Sequence, residues 1–294
     1  LTNSNTSNTL SIADKLEINS SGTLTVDGSA TLALAGFEFD DNGATITNNG
    51  TFQLNGDETL TSGSLSIPGN TKIVDGSGAT LTTGLSGLAN VEFNSNGRTF
   101  TLGEHLSYIT GNVTIASGTT LDASGSNYDI SLAGNWSNSG TFTSQNGTVT
   151  FNGSAAQTIS GTNTFYGLTI NNSHGSDKVT PGSAITVANL LTVTDGIFVS
   201  AASDFAGVTI GANGTLELNG NVTVSGDWSD GGALTPGTNT VTFDGSGAQS
   251  ITSGGSVFYN LTNSNTSNTV SIADKLEINS SGTLTIDGSA TLAL

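Results

Sequence analysis

Two histidines are the residues whose chemistry could make this chain an enzyme. His105 follows Glu104, and His174 precedes Asp177 and Lys178, so each could be half of an acid–base pair. Serine is so frequent that a Ser–His–Asp arrangement has no specificity, and no nucleophile elbow, HExxH motif or phosphate-binding glycine loop is present. We interpret these side chains as polar loop residues, and we predict no catalytic residue and no enzymatic activity.

A polysaccharide-degrading β-helix enzyme is one hypothesis for the function of the chain. Such an enzyme needs clustered carboxylates, often together with an Arg or Lys side chain or a calcium ion. Arg98, with Glu92 and Glu104 near it in sequence, is the only comparable group, and it is thin support.

One acidic turn could bind a metal ion. The run Asp40-Asp41-Asn42-Gly43 resembles part of a calcium loop, but the EF-hand spacing and its closing Glu are missing. The chain has no Cys, which excludes disulfides and Cys-ligated metals. We therefore expect a solvated turn here, and we predict no metal site and no cofactor.

Two tryptophans are the candidates for a binding surface. Trp136 and Trp228 lie at equivalent positions of two internal repeats, and an exposed indole ring could stack on a sugar. The alternative is that both rings fill the interior. We keep Trp136 and Trp228 as possible glycan contacts, with the interior position as the competing interpretation.

The charge balance and the short apolar runs each exclude one class of protein. Five basic residues stand against 23 acidic ones, giving a net charge of -18, whereas a nucleic-acid binder needs a basic surface. No apolar run approaches the length of about 20 residues that a membrane-spanning helix requires. We predict no nucleic-acid partner and no transmembrane segment, and we expect the acidic side chains to keep the protein soluble.

A long repeat dominates the organisation of the chain. Residues 1–34 and 261–294 differ only where Leu10 becomes Val270 and Val26 becomes Ile286. Such exchanges between aliphatic side chains are those that a packed interior tolerates best. We divide the chain into one unit, 1–260, and the start of the next unit, 261–294, and we predict a tandem array.

A weaker repeat lies inside the unit. Residues 134–172 and 226–262 share a GNWS/GDWS start, a TVTF strand and an FYGL/FYNL ending. Their offset changes by one position in the loop before the aromatic pair. A short loop insertion between matched segments is typical of stacked structural units.

The local hydrophobic period is 2, which indicates short half-buried strands. Alternating pairs are Leu24/Val26, Phe37/Phe39, Val113/Ile115, Val149/Phe151, Leu216/Leu218 and Val222/Val224. Turn pairs such as Asn42-Gly43, Asn146-Gly147 and Asn213-Gly214 separate them, because Asn and Gly accept a positive φ at low cost. The pattern fits either a closed sandwich or barrel, or an open solenoid.

The tandem unit favours the solenoid, because stacked turns can continue without limit. The spacing of recurring Gly-Thr-Leu/Phe starts predicts turns of about 20–28 residues. We therefore predict an all-β fold, a parallel β-helix, with an inner column of Leu, Val, Ile and Phe. Neither end of the sequence resembles a cap, so we expect both ends to be uncapped and further copies to continue the stack.

The run GNWSNSGTFTSQNGTVTFNGSAAQTISGTNTFYGLTINN (134–172) resembles repeats of very large bacterial cell-surface proteins. It is also similar, more loosely, to the stalks of filamentous haemagglutinin and autotransporter passengers. This resemblance implies a right-handed parallel β-helix that is secreted and displayed as a fibre or adhesin stalk. It supplies no functional residues.

Two functions remain at this stage. The first is a structural segment of an extracellular filament or cell-surface stalk, whose partners are further copies of the repeat, joined covalently or end to end. The second is an adhesin module that binds carbohydrate or another surface through the repeat face. Lateral association of the fibres would be compatible with either function.

Overall fold

A computed structural model describes residues 1–59, 65–67, 69–74, 84–173 and 175–294. The chain divides into two compact units, Leu1–Gly147 and Thr148–Leu294. Both are built from short strands joined by turns, and the described residues contain no helix. Parallel strands stack turn upon turn in each unit. The fold is therefore the predicted all-β solenoid, with about 13 turns in the two units together.

The strands of the first unit are short, as expected where the chain turns after each brief run. They are β1 (Thr2–Asn3), β2 (Leu10–Ser11), β3 (Leu16–Glu17), β4 (Thr23–Val26), β5 (Thr31–Ala33), β6 (Phe39–Asp40), β7 (Thr45–Asn48), β8 (Thr51–Leu54), β9 (Leu65–Ser66), β10 (Asn70–Ile73), β11 (Leu85–Ser86), β12 (Asn90–Phe93), β13 (Thr99–Thr101), β14 (Leu106–Ile109), β15 (Val113–Ile115), β16 (Thr120–Asp122), β17 (Ile130–Leu132), β18 (Trp136–Asn138) and β19 (Thr141–Thr143).

The strands of the second unit are β20 (Thr148–Phe151), β21 (Gln157–Gly161), β22 (Asn163–Asn171), β23 (Lys178–Pro181), β24 (Ile185–Ser200), β25 (Ser203–Phe205), β26 (Val208–Leu218), β27 (Val222–Val224), β28 (Trp228–Asp230), β29 (Ala233–Thr235), β30 (Thr240–Phe243), β31 (Gln249–Thr252), β32 (Val257–Phe258), β33 (Asn260–Asn263), β34 (Thr269–Ile272), β35 (Glu277–Ile278), β36 (Leu284–Ile286) and β37 (Thr291–Ala293). Most are as short as those of the first unit, but β22, β24 and β26 are longer and continue around a corner without interruption.

The register of the strands fixes the length of a turn. Among the described pairs on neighbouring turns, the shortest separation in sequence is from Leu191 to Val208 and the longest is from Leu106 to Ile130. These separations are 17 and 24 residues, so the predicted spacing of about 20–28 residues is correct between 20 and 24 and too long at both ends of its range. The shortest turns need few loop residues because a strand such as β24 itself bends around the corners.

Strand β24 shows that a turn has three sides. Its first part, Ile185–Val187, pairs with Asn163–Phe165, and its second part, Leu190–Val193, pairs with Gly167–Ile170. Its last part pairs Phe198 with Val179 on strand β23. One turn therefore contributes a strand to each of three parallel sheets, and the side chains that point inward from all three meet in the core.

The core is a column of mostly apolar side chains, each stacked on its partner one turn away. In the first unit one such column runs through Phe52, Thr71, Val91, Val113 and Trp136, which are at most 1% exposed. In the second unit an equivalent column is Phe165, Val187, Phe205, Val224 and Phe243. This arrangement confirms the predicted period of 2, because alternate residues of each strand enter the column.

One predicted strand pair is wrong. Phe37 and Phe39 were expected to point to the same buried face, but strand β6 begins only at Phe39, and Phe37 is 38% exposed. The chain turns through Ala35 and Gly36, both at positive φ, immediately before Phe37. The alternation therefore begins after the turn.

Glycine at several strand starts is required by close stacking, not by backbone conformation. Of the predicted turn pairs, Asn42-Gly43 adopts a positive φ, whereas Asn146-Gly147 and Asn213-Gly214 do not. Gly140 has no positive φ, but a Cβ at this position would lie 2.2 Å from the carbonyl oxygen of Thr119, which belongs to the preceding turn. At Gly214 the same distance, to the oxygen of Val193, would be 2.1 Å.

We expect Gly140→Ala to lower the free energy of unfolding by about 2 kcal/mol, because the added methyl group must push two hydrogen-bonded turns apart. Gly125→Ala is the matched control, since a Cβ at Gly125 meets no atom within 4 Å. Denaturant unfolding followed by circular dichroism measures both changes. Equal stability of the two variants would contradict the proposed stacking contact.

Candidate functional site

The two tryptophans lie in the core of their turns. Both side chains are fully buried, Trp136 on strand β18 and Trp228 on strand β28. Trp136 packs edge-on against Phe142 at 4.9 Å between ring centroids, and Trp228 lies 5.4 Å from Phe258. Neither ring offers a face to solvent on which a sugar could stack, and the position is the interior one that sequence analysis held as the alternative.

His105 takes part in a turn-to-turn contact. Its Nδ1 accepts a hydrogen bond of 2.9 Å from the backbone amide of Asp129, and the Asp129 carboxylate lies 3.4 Å away. The ring also packs edge-on against Tyr128. These contacts hold the imidazole between neighbouring turns. His174, the other candidate, lies outside the described residues.

The carboxylates considered for enzymatic chemistry have structural partners. Glu104 accepts hydrogen bonds from the backbone amides of Gly84 and Leu85. Glu92 accepts a hydrogen bond from the side-chain amide of Asn94 and lies 3.9 Å from the Lys72 ammonium. The two carboxylates are thus held by different partners.

The acidic turn at Asp40 is closed by its own backbone and by a lysine. The Asn42 amide donates to Asp40 Oδ1 at 3.2 Å, and Lys15 Nζ lies 3.5 Å from Asp40 Oδ2. Lys15 also lies 3.1 Å from Glu38, whose hydrogen bond raises the pKa of Lys15 above its ordinary value. Among the described residues no three His, Asp or Glu side chains form a group that could hold a metal ion.

A polar groove of about 480 Å³ runs across several turns of the first unit. Its floor carries a ladder of asparagines, in which Asn90 Nδ2 donates to Asn70 Oδ1 and Asn90 Oδ1 accepts from the Asn112 amide, both at 2.8 Å. Asn112 Oδ1 accepts in turn from the amide of Asn135. The spacing of these asparagines matches the turn length, as the sequence predicts for asparagines that stack in a ladder between turns. The ladder uses these amide groups to join turns.

One buried carboxyl group is poorly matched to its surroundings. Asp230 is 3% exposed, and its Oδ1 accepts a hydrogen bond of 2.8 Å from the Gly232 amide. Burial raises the pKa of Asp230, and the charge of Asp274 acts in the same direction. The equivalent residue of the other internal repeat is Asn138, which accepts the same bond from Gly140 without a charge.

The long repeat forms the same structure in both places. Leu10 pairs with Leu32 and Ser11 with Ala33, and in the second copy Val270 pairs with Leu292 and Ser271 with Ala293. The buried amide group of Asn3 donates to the carbonyl of Thr31 at 2.9 Å. That of Asn263 donates to Thr291 at 3.0 Å.

The two copies differ in which side is covered. Leu261 and Val270 are fully buried against the preceding turn, whereas their counterparts Leu1 and Leu10 are 60% and 41% exposed. The opposite holds on the other side. There Leu24, Val26 and Leu34 are fully buried, and their counterparts Leu284, Ile286 and Leu294 are 45%, 47% and 99% exposed. The repeat thus has two faces, each able to bury a neighbouring turn.

A pair of amide side chains fastens this repeat to the turn before it. Asn265 Nδ2 donates to the Gly247 carbonyl at 2.7 Å and to Gln249 Oε1 at 3.0 Å. Gln249 in turn donates to the carbonyls of Val224 and Gly226. The internal repeat contains the same device, since Asn172 donates to Gln157 Oε1 at 3.1 Å. We call the Asn265–Gln249 pair the amide clasp.

Comparisons of the chain with protein-family models, with curated proteins and with solved structures found no match. In the part of the chain that the structure describes, no helix is long and apolar enough to cross a membrane. The geometry therefore carries the functional argument.

We expect Asp230→Asn to stabilise the protein by about 1 kcal/mol at pH 7, because it removes a buried charge and keeps the acceptor that Asn138 provides in the other repeat. A carboxyl group whose folded pKa is raised favours the folded state below its unfolded pKa and loses this contribution as the pH rises. The stability gained by Asp230→Asn should therefore become smaller as the pH falls from 7 to 4.

Asp274→Asn is the control with the opposite sign. A hydrogen bond from the Ser253 amide lowers the pKa of Asp274, so its charge stabilises the fold above the unfolded pKa and the contribution is lost as the pH falls. Thermal unfolding at pH 7 should show a higher Tm for the Asp230 variant and a lower one for the Asp274 variant. Shifts of the same sign would reject this assignment.

Proposed function

We propose that the chain is a structural segment of an extracellular filament or cell-surface stalk, built from tandem β-solenoid units. One observation carries the proposal. The sequence of residues 1–34 recurs at 261–294 and pairs in the same register in both places. This is the arrangement expected of a unit that is followed by another unit of its own kind.

The physical basis is that a solenoid turn is stabilised mainly by its nearest neighbours. Each added turn satisfies the backbone groups of the turn below and presents a new set above, so length carries no penalty in stability. A polar and acidic exterior, with a net charge of -18, suits a long exposed body that must stay soluble. Reach and stiffness, not catalysis, are the properties that such a chain supplies.

The extracellular location is supported by composition and by resemblance. The chain lacks Cys, and residues 134–172 resemble repeats of very large bacterial cell-surface proteins. The right-handed coil implied by stalks of filamentous haemagglutinin and autotransporters is part of the same proposal.

The alternative, an adhesin module that binds glycans through the repeat face, has less support. The tryptophans that could stack on a sugar are buried, and the asparagines of the polar groove already bond to one another. Binding to a glycan array that Lys72→Ala abolishes, at unchanged stability, would favour the adhesin instead, because Lys72 lines that groove.

We expect a chain with two full sequence repeats, in which residues 35–294 follow residue 294 once more, to be longer than the present chain by about 55 Å. This is the height of the turns in one 260-residue repeat at a strand spacing of about 4.8 Å. Small-angle X-ray scattering or electron microscopy measures this increment. If the chain with two full repeats gained width instead of length, or bent freely at residue 294, the result would contradict the proposed stalk.

Immunogold labelling tests the location separately. Antibodies against the folded chain should label the surface of intact cells that produce it, and protease added outside should remove the label. Labelling that requires permeabilised cells would reject the extracellular part of the proposal.

A further inference from the structure

One aromatic side chain of the first unit is held outside the solenoid. Tyr108 lies on strand β14 and is 76% exposed, more than any other aromatic residue in the described part of the chain. Its φ is 64°, in the left-handed region, which a bulky side chain occupies only with strain. The backbone therefore gains nothing from a tyrosine at this position.

A β-bulge turns this side chain outward. Strand β14 has two residues, Ser107 and Tyr108, where the paired strand β17 has only Ser131. The Tyr108 amide donates a hydrogen bond of 2.8 Å to Ser131 Oγ. Bulges of this kind redirect a side chain without disturbing the strand on either side. Here Leu106 and Ile109 keep their places in the core, at 5% and 1% exposed, while the ring between them points to solvent.

Other residues in the left-handed region are of a different kind. The non-glycine residues that share a positive φ with Tyr108 in the described ranges are small or have polar side chains: Ser29, Ala35, Asn42, Ser124, Asn127 and Gln145. Asparagine, in particular, adopts this conformation at low cost. Strained residues persist where their surroundings hold them, and they cluster at sites that contact ligands. The exposed ring thus points to a binding role.

Hydrogen-bonding groups adjoin the ring. His105 precedes strand β14, and its Nδ1 accepts a hydrogen bond from the Asp129 amide, so its proton lies on Nε2. The side chains of His105 and Asp129 are 54% and 53% exposed. Ser131 Oγ accepts from the Tyr108 amide and keeps its own proton for a further partner. Two donors and a carboxylate acceptor therefore lie beside the bulge.

We propose that Tyr108 is a stacking platform for a pyranose ring of a neutral carbohydrate. The C–H groups on one face of such a sugar pack against the negative face of an aromatic ring, which combines dispersion with weak polar attraction. The sugar hydroxyl groups would bond to His105 Nε2, to the Asp129 carboxylate and to the Ser131 hydroxyl. Anionic polysaccharides do not fit, because Asp129 and a net charge of -18 repel them.

The surroundings favour a sugar over a protein partner. A protein interface surrounds its aromatic anchors with further apolar side chains that exclude water. The residues beside Tyr108 on the outer side of these strands are instead Ser107, Ser131 and His105. A single ring among polar groups matches a ligand that offers one small apolar face and several hydroxyl groups.

This inference goes beyond the proposed function and does not depend on it. A stalk of any length can carry the contact, and a chain that fails to bind carbohydrate can still form a stalk. The contact also differs from the polar groove considered above, which Lys72 lines. Binding at the two places is therefore lost through different substitutions.

Affinity electrophoresis of the whole chain tests this contact with defined probes. We expect native gels that contain soluble mixed-linkage β-glucan or glucomannan to retard the chain, and gels that contain polygalacturonate to leave its mobility unchanged. Tyr108→Asn should weaken the binding about tenfold, because the stacking face is lost. Tyr108→Phe keeps the ring and should weaken the binding by at most about threefold.

Phe37→Asn and Lys72→Ala are the matched controls. Phe37 is another exposed aromatic residue of the first unit, and Lys72 lines the polar groove. Neither change should alter the retardation. Equal retardation of the Tyr108→Asn variant would overturn the inference, and so would unchanged mobility of the parent chain in both neutral gels.

Thermal unfolding separates a binding role of the ring from a structural one. Tyr108→Asn should leave Tm unchanged or raise it, since asparagine fits the left-handed conformation better than tyrosine. A lower Tm would show that the ring supports the fold, and it would overturn the inference. So would self-association in sedimentation that Tyr108→Asn abolishes, because the ring would then contact a second copy of the chain.

Discussion

Backbone hydrogen bonding between successive turns is the interaction on which the rest of the structure depends. Most strands span only a few positions, too few to be stable as an isolated pair, and they gain their stability from parallel neighbours one turn away. Register is therefore the central requirement. The side chains of Val91, Val113 and Trp136 stack because their backbones pair, and the turn length follows from the same pairing.

Polar residues inside the solenoid serve this pairing. Asn3 and Asn263 bind backbone carbonyls at equivalent corners, and Gln249 bonds to two carbonyls and to Asn265. A buried amide is costly unless its groups are bonded, so each of these residues specifies where a corner lies relative to its neighbours. Gly140 makes a complementary contribution, because its missing side chain allows the preceding turn to approach.

Much of this architecture was predictable from the sequence, and the rest depends on contacts that sequence distance hides. Alternation at Leu24/Val26 and Val222/Val224 predicted buried strand positions correctly, and the repeat predicted a solenoid. Phe37 was misjudged because alternation does not reveal where a turn ends. The burial of Trp228 was left open, since a repeat position does not say which way a ring points. The clasp between Gln249 and Asn265 joins residues whose partnership appears only once the turns are stacked.

Distances between spin labels along one face test the stacking of turns most directly. Successive turns in one register carry Thr150, Thr169, Thr192, Thr209, Ser229 and Thr252. Cysteines introduced for labelling at Thr150 and Ser229, and at Thr150 and Thr252, should report separations of about 19 and 24 Å, an increase of about 4.8 Å per turn. Equal separations for the two pairs, or a shorter one for Thr252, would indicate a chain that folds back on itself and would contradict the solenoid.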